Sequence, residues 1–247
     1  MSTALAVEAT AARIHIGWVV RKTFWVVGQR AGPLTLLALG LIFLPQLLVE
    51  FLPKGSSGIS LVAGLPGVVF GGAASLITYQ QLAGPEPISG MDALRAGGRR
   101  FGALWVLGLL SGAAELVGLL LLIVPGLLLM VGWIPATAVV MVEGLNATPA
   151  LRRAWDLTRG NRWPIAALFT IFLAAGAAAI FLPIMASSLL VAALVNQTRM
   201  DALTIDIVTA ACVSVISIIG SVGAAAIYAA LREAKEGPAA TIAGVFD

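Results

Sequence analysis

Two groups of residues in this 247-residue chain could do chemistry. The first is a lone carboxylate, Glu115, set within the apolar stretch Leu109 to Leu122. A charge near the centre of a bilayer costs roughly 2.5–3.5 kcal/mol. Such a side chain faces a helix bundle or a wet cavity, or it carries a proton. It can bind a proton or substrate there, or serve as a protonated carboxyl bonded to a neighbouring helix. The second group is a set of arginines that each adjoin an apolar run: Arg99, Arg100, Arg152, Arg153, Arg159 and Arg162, with Trp155 and Trp163 among them. Guanidinium groups beside indoles suit the phosphates of lipid headgroups. Membrane topology alone also concentrates arginine beside spans, so both readings stand.

Catalytic constellations are missing. The sequence has no glycine-rich phosphate loop with lysine, no Cys/His ligand cluster and no Gly-x-Ser-x-Gly elbow. The one histidine, His15, has no nucleophile at a suggestive spacing, and the one cysteine, Cys212, lies in an apolar run as a packing residue. The expectation is a protein that is not an enzyme and holds no cofactor and no metal. Nucleic acid is a poor partner for the basic segments, because each abuts an apolar run and membrane lipid explains it better.

The elements that must carry these residues are set by composition. Apolar residues make up 60% of the chain and charged residues 11%. A soluble fold could not cover its surface with so few charges. Six apolar runs stand out, at about 34–52, 61–82, 103–123, 127–142, 164–187 and 207–231. A spanning helix needs about 20 apolar residues, and the runs do not alternate as barrel strands would. The predicted fold class is an all-α membrane protein, one integral membrane domain over 1–247 with six transmembrane helices. Residues 1–32 form an N-terminal interfacial segment, with Ile14, Trp18 and Trp25 on a helical stripe, and 232–247 form a tail.

Thirteen of the fifteen Lys and Arg residues fall in the N-terminal segment, the connections after runs two and four, and the tail; only Lys54 and Arg199 fall on the other side. The positive-inside rule then puts both termini in the cytoplasm, for a multi-pass protein of a bacterial cytoplasmic (inner) membrane. A weak threefold hairpin repeat accompanies this layout. Arg30, Arg99-Arg100 and Arg162 each precede an odd-numbered span, and Ala93-Leu94-Arg95 corresponds to Ala150-Leu151-Arg152. Separate hairpins reusing one interface chemistry would look the same. Small-xxx-small spacings at Gly67/Gly71, Gly108/Gly112 and Gly220/Ala224 predict close helix contacts. Trp105, Trp163 and Tyr228 predict an aromatic belt, and Trp133 a packing role.

The most specific stretch is Glu143 to Pro164. It reads as a short amphipathic helix on the inner leaflet, capped by Thr148 before Pro149, ended by Gly160, with Asp156 pairing Arg152 or Arg159. An acidic-Gly end to one span, then Ala-Leu-Arg-Arg-Ala-Trp-Asp-Leu-Thr-Arg-Gly-Asn-Arg-Trp before the next, resembles the membrane domain of bacterial glycerophosphoryl diester phosphodiesterases and related stand-alone multi-pass proteins. Pro125 to Pro164 carries the match. The family's catalysis belongs to a separate soluble domain that has no counterpart in this chain. The resemblance implies a non-enzymatic multi-pass module that binds or organises anionic (glycero)phospholipid or supports a protein partner in lipid metabolism. The alternative is a small transporter or permease-like protein with Glu115 in its path.

Overall fold

The computed structural model describes residues 15–50, 57–83, 86–121, 123–194 and 198–237. Every regular element among them is helical. Helix α1 is Ile16–Gln29, followed by α2 (Ala31–Ala38), which passes through a π-helical turn (Leu39–Phe43) into α3 (Leu44–Glu50). Then come α4 (Ser57–Ala83), α5 (Gly90–Arg99), α6 (Phe101–Leu121), α7 (Ile123–Trp133), α8 (Ala136–Val142), α9 (Ala147–Thr158), α10 (Arg162–Leu194) and α11 (Thr198–Glu236).

Five stretches are long and apolar enough to cross a membrane: Ala31–Val49, Phe101–Leu121, Val124–Val142, Arg162–Pro183 and Thr204–Glu236. They correspond to five of the six apolar runs. The remaining run forms α4, which at 27 residues is about 40 Å long. Pro66 lies inside α4, and its last turns carry Thr78, Tyr79, Gln80 and Gln81, which dilute its apolarity. Pro183 lies inside the continuous α10. The fourth run begins earlier than its apolar core suggests, because Pro125 is tolerated in the first turn of α7. That run is also broken: the helix stops at Trp133 and restarts at Ala136, with Pro135 at the restart.

Helix α11 is the central pillar. Its Ile218 and Val222 join a core with Leu34, Leu37, Phe70 and Ile77. One turn on, its Ala225, Tyr228 and Leu231 join a second core with Val19, Val139, Leu157 and Ile165. Helix α10 is peripheral: among the described residues of Arg162–Pro183 two are buried, Ile165 and Leu168, against eleven in Thr204–Glu236.

Several local expectations are corrected. The buried stripe of α1 is Val19, Thr23 and Val26, whereas Trp25 is exposed with the Lys22 ammonium 5.1 Å from its ring; Ile14 lies outside the described residues. The predicted glycine contacts are not the tight ones. A Cβ at Gly67, Gly71, Gly108, Gly112 or Gly220 would meet nothing within 4 Å. The close approaches are elsewhere: at Gly72 against Leu104 (2.6 Å), at Gly126 against Leu119 (2.6 Å) and at Gly132 against Trp155 (2.5 Å). Spacing of small residues marks a smooth helix face; whether a neighbour lies against it depends on tertiary packing.

Candidate functional site

The short helices α5 and α9 are built alike. Ser89 caps α5 by accepting the Asp92 N–H at 3.1 Å, and Ala93 and Gly97 are buried. Asn146, rather than Thr148, occupies the cap position of α9, and its side chain makes no capping bond. Ala150 and Ala154 are buried as Ala93 is, and Arg95 and Arg152 are both exposed. Gly160 ends the α9 joint with φ +92°, as its type predicts. The apolar face of α9 does not lie on lipid. Ala154, Leu157 and Thr158 belong to the interior, and Thr158 donates to the Gly132 carbonyl at 3.3 Å.

The arginines before the spans act as clasps. Arg30, just before α2, donates through Nε to the Gln81 side chain near the end of α4, at 2.6 Å. Arg100, just before α6, donates to the carbonyl of Gly144 just past α8, also at 2.6 Å. Arg153 on α9 reaches Glu143 with Nε at 3.1 Å and pairs with Glu236 at the end of α11. Arg232 continues the chain, bonding Glu236 at 3.0 Å and the Tyr79 hydroxyl at 2.8 Å. Tyr228 donates to Glu143 at 2.9 Å, and its ring lies 5.5 Å from that of Tyr79. Helices α4, α9 and α11 and the end of α8 thus meet in one polar lattice at the arginine-rich end of the bundle.

This lattice sorts the candidate arginines by role. Arg153 is occupied by two carboxylates, so it is a structural tie. Partial burial disfavours its charge, but Glu236 and Glu143 outweigh this and hold the guanidinium above its ordinary pKa. Arg100 is committed to Gly144. Arg162 lays its guanidinium 3.7 Å from the Trp155 ring centroid, and Trp155 in turn meets Trp133 at 6.5 Å. Arg99, Arg152 and Arg159 are exposed and form no ion pair among the described residues. Asp156 does not pair with Arg152 or Arg159; its backbone carbonyl instead accepts from Lys235 Nζ at 2.6 Å. Arg153, Arg159 and Arg162 all lie near enough to repel Lys235, so cations converge at this corner. Trp163 is 87% exposed at the start of α10. Tyr228 is fully buried and is therefore no part of an aromatic belt, whereas Trp105 and Trp163 are exposed.

Glu115 stands apart. It lines a cavity of about 240 Å³ with Ser111, Thr137, Trp133 and the glycines of α4. The neighbouring face of α6, about 100° round the helix, exposes Trp105, Leu109, Leu116 and Leu120. The half-buried carboxyl lies at the margin of the face that buries Leu104, Leu107 and Gly118.

Sequence reasoning missed Glu143, Tyr79, Lys235 and Glu236. Apart from Arg232 and Glu236, which are four apart on one helix, their partners lie between 10 and 153 positions away, where no local pattern marks such pairs. Residues 59–233 match a family described as a domain of unknown function, DUF7847. The chain belongs to the DUF7847 family. No curated protein and no solved structure matches it. The DUF7847 match takes in Glu115 and the lattice residues Tyr79, Arg100, Glu143, Arg153, Tyr228 and Arg232, and leaves Arg30, Lys235 and Glu236 outside.

Proposed function

We propose that this is a non-enzymatic, six-span module of a bacterial cytoplasmic membrane, whose arginine-rich end faces the cell interior. There it holds anionic glycerophospholipid or supports a lipid-processing partner. The observation that carries this reading is the division of labour among neighbouring arginines. Once the lattice has taken Arg153 and Arg100, the exposed Arg99, Arg152 and Arg159 remain, with the exposed Trp163 four positions after the last. Exposed cations and an exposed indole at the head of a span suit phosphate and glycerol backbone contact.

The clasps support six crossings and a threefold repeat. Arg30 before the first apolar run ties to Gln81 at the end of the second, and Arg100 before the third ties to Gly144 at the end of the fourth. Lys235 and Glu236 at the end of the sixth tie to α9 before the fifth. Each pair closes one hairpin, an arrangement that suits α4 returning across the membrane as the partner of α2 and α3. The lipid class is taken from the resemblance of Pro125 to Pro164 to the phosphodiesterase membrane domains, and is part of the proposal.

Native mass spectrometry tests the reading. The wild type should retain cardiolipin or phosphatidylglycerol adducts that an Arg152→Ala/Arg159→Ala variant loses. Equal adducts in both would remove the lipid site. A second reading, a small permease, draws on Glu115 lining a cavity. It requires Glu115→Gln to abolish solute uptake into vesicles.

A further inference from the structure

The cavity at Glu115 is a partly open cleft lined by three elements that each break the regularity of an apolar helix. Helix α6 presents Leu104, Gly108, Ser111 and Glu115, spaced at about one helical turn along a single face. Helix α4 contributes Gly67 and Gly71, just after Pro66. The third wall is the break between α7 and α8, where Trp133, Ala136 and Thr137 flank Pro135, which has no N–H to give to the turn before it. Irregular backbone at membrane depth is tolerated where it lines a cavity.

The lining has one acid and no cation. Glu115 makes no ion pair or hydrogen bond among the described residues, and Ser111 turns its hydroxyl back to the Gly108 carbonyl at 3.3 Å. A carboxylate without a counter-charge either takes up a proton or has that charge supplied by an occupant, and only the second gives the cavity a ligand. A divalent metal ion fits poorly, since it calls for about six oxygen ligands and no group of three metal-ligating side chains exists among the described residues. The remaining walls are leucine and an indole. A carboxylate together with an indole face and aliphatic surface is the chemistry that recognises an organic ammonium. At about 240 Å³ the space is smaller than the roughly 300 Å³ at which pockets begin to take drug-sized ligands.

We propose that this cavity is an intramembrane binding site for a small organic ammonium ion, with Glu115 as its counter-ion and Trp133 as its aromatic wall. The site is separate from the arginine lattice and does not depend on the lipid reading. Benzyltrimethylammonium is a suitable probe, titrated by isothermal calorimetry into the full-length protein in nanodiscs. The wild type should bind it saturably at one site, and Glu115→Gln should weaken binding at least about tenfold. A second variant guards against misfolding: a Cβ at Gly108 meets nothing within 4 Å and Gly108 lines the cleft, so Gly108→Leu, placed to obstruct it, should also abolish binding. Thermal unfolding of both variants should stay near wild type. Absence of saturable binding to the wild type overturns the proposal. So does equal affinity in Glu115→Gln, which would mean an apolar pocket, or unchanged binding in Gly108→Leu, which would put the site elsewhere.

Discussion

Arg100 and Gly144 are 44 positions apart in the chain, yet the guanidinium donates to the glycine carbonyl at 2.6 Å. The same glycine has φ +71°, and a Cβ there would stand 2.8 Å from Arg100 Nη2. Backbone conformation and space for the clasp therefore make the same demand of residue 144. Gly144→Ala should destabilise the protein by about 1–3 kcal/mol, combining left-handed strain with displacement of Arg100. Gly160→Ala supplies the contrast: φ is +92° but nothing lies within 4 Å, so only the strain remains. Unfolding in mixed detergent micelles would compare the two, and equal losses would show that the Arg100 contact adds nothing.

Adjacent arginines should behave oppositely. Arg153→Ala strips Glu143 and Glu236 of their shared partner and should cost about 1–3 kcal/mol of stability. Arg152→Ala, on the exposed side of the same helix, should change stability by no more than about 0.5 kcal/mol while reducing anionic-lipid adducts. Thermal unfolding and native mass spectrometry on the same two proteins would read both effects. A stable Arg153→Ala variant would mean that the carboxylates find other donors or water.

Glycines should divide by what faces them. Gly132→Ala drives a methyl to 2.5 Å from the Trp155 ring, so the indole must leave Trp133 and Arg162. A loss of about 1–3 kcal/mol is expected, with a changed tryptophan emission spectrum. Gly67→Ala and Gly108→Ala meet open space and should be neutral or stabilising by up to about 1 kcal/mol. Comparable damage at all three positions would contradict the packing described.

Tyr228→Phe removes the hydroxyl that donates to Glu143 at 2.9 Å while keeping the buried ring. Glu143 retains Arg153, so the loss should be about 0.5–1.5 kcal/mol. Urea or detergent titration would measure it. A loss as large as that from Arg153→Ala would make the tyrosine the dominant partner of the carboxylate.

Much of the helical layout is legible in the residues because it depends on local sums. Five of six apolar runs are recognisable as spans from length and composition, and Gly160 declares its turn through its residue type. The arginine joints are legible as a group because each sits at the head of a helix. The hidden part depends on which helix face meets which neighbour. Arg152 and Arg153 are interchangeable in sequence, but a rotation of about 100° points one outward and the other at Glu143 and Glu236. Tyr228 has the position of a belt residue near a span's end, yet it is buried in the core with Tyr79 of α4 and Val139 of α8. The break at Pro135 does have a sequence signal, but a continuous apolar run masks it.

The π-helical turn Leu39–Phe43 sets the rotational phase of helix α3. One surplus residue in that turn advances α3 by about 100° relative to a plain α-helix. In its present phase Gln46 joins Ser217 and Ser221 on the wall of a second cavity, of about 440 Å³. Deleting one residue between 39 and 43 would let the segment relax to ordinary α-helix. The amide of Gln46 would then swing toward the hydrocarbon, and an aliphatic neighbour would take its place on the cavity wall.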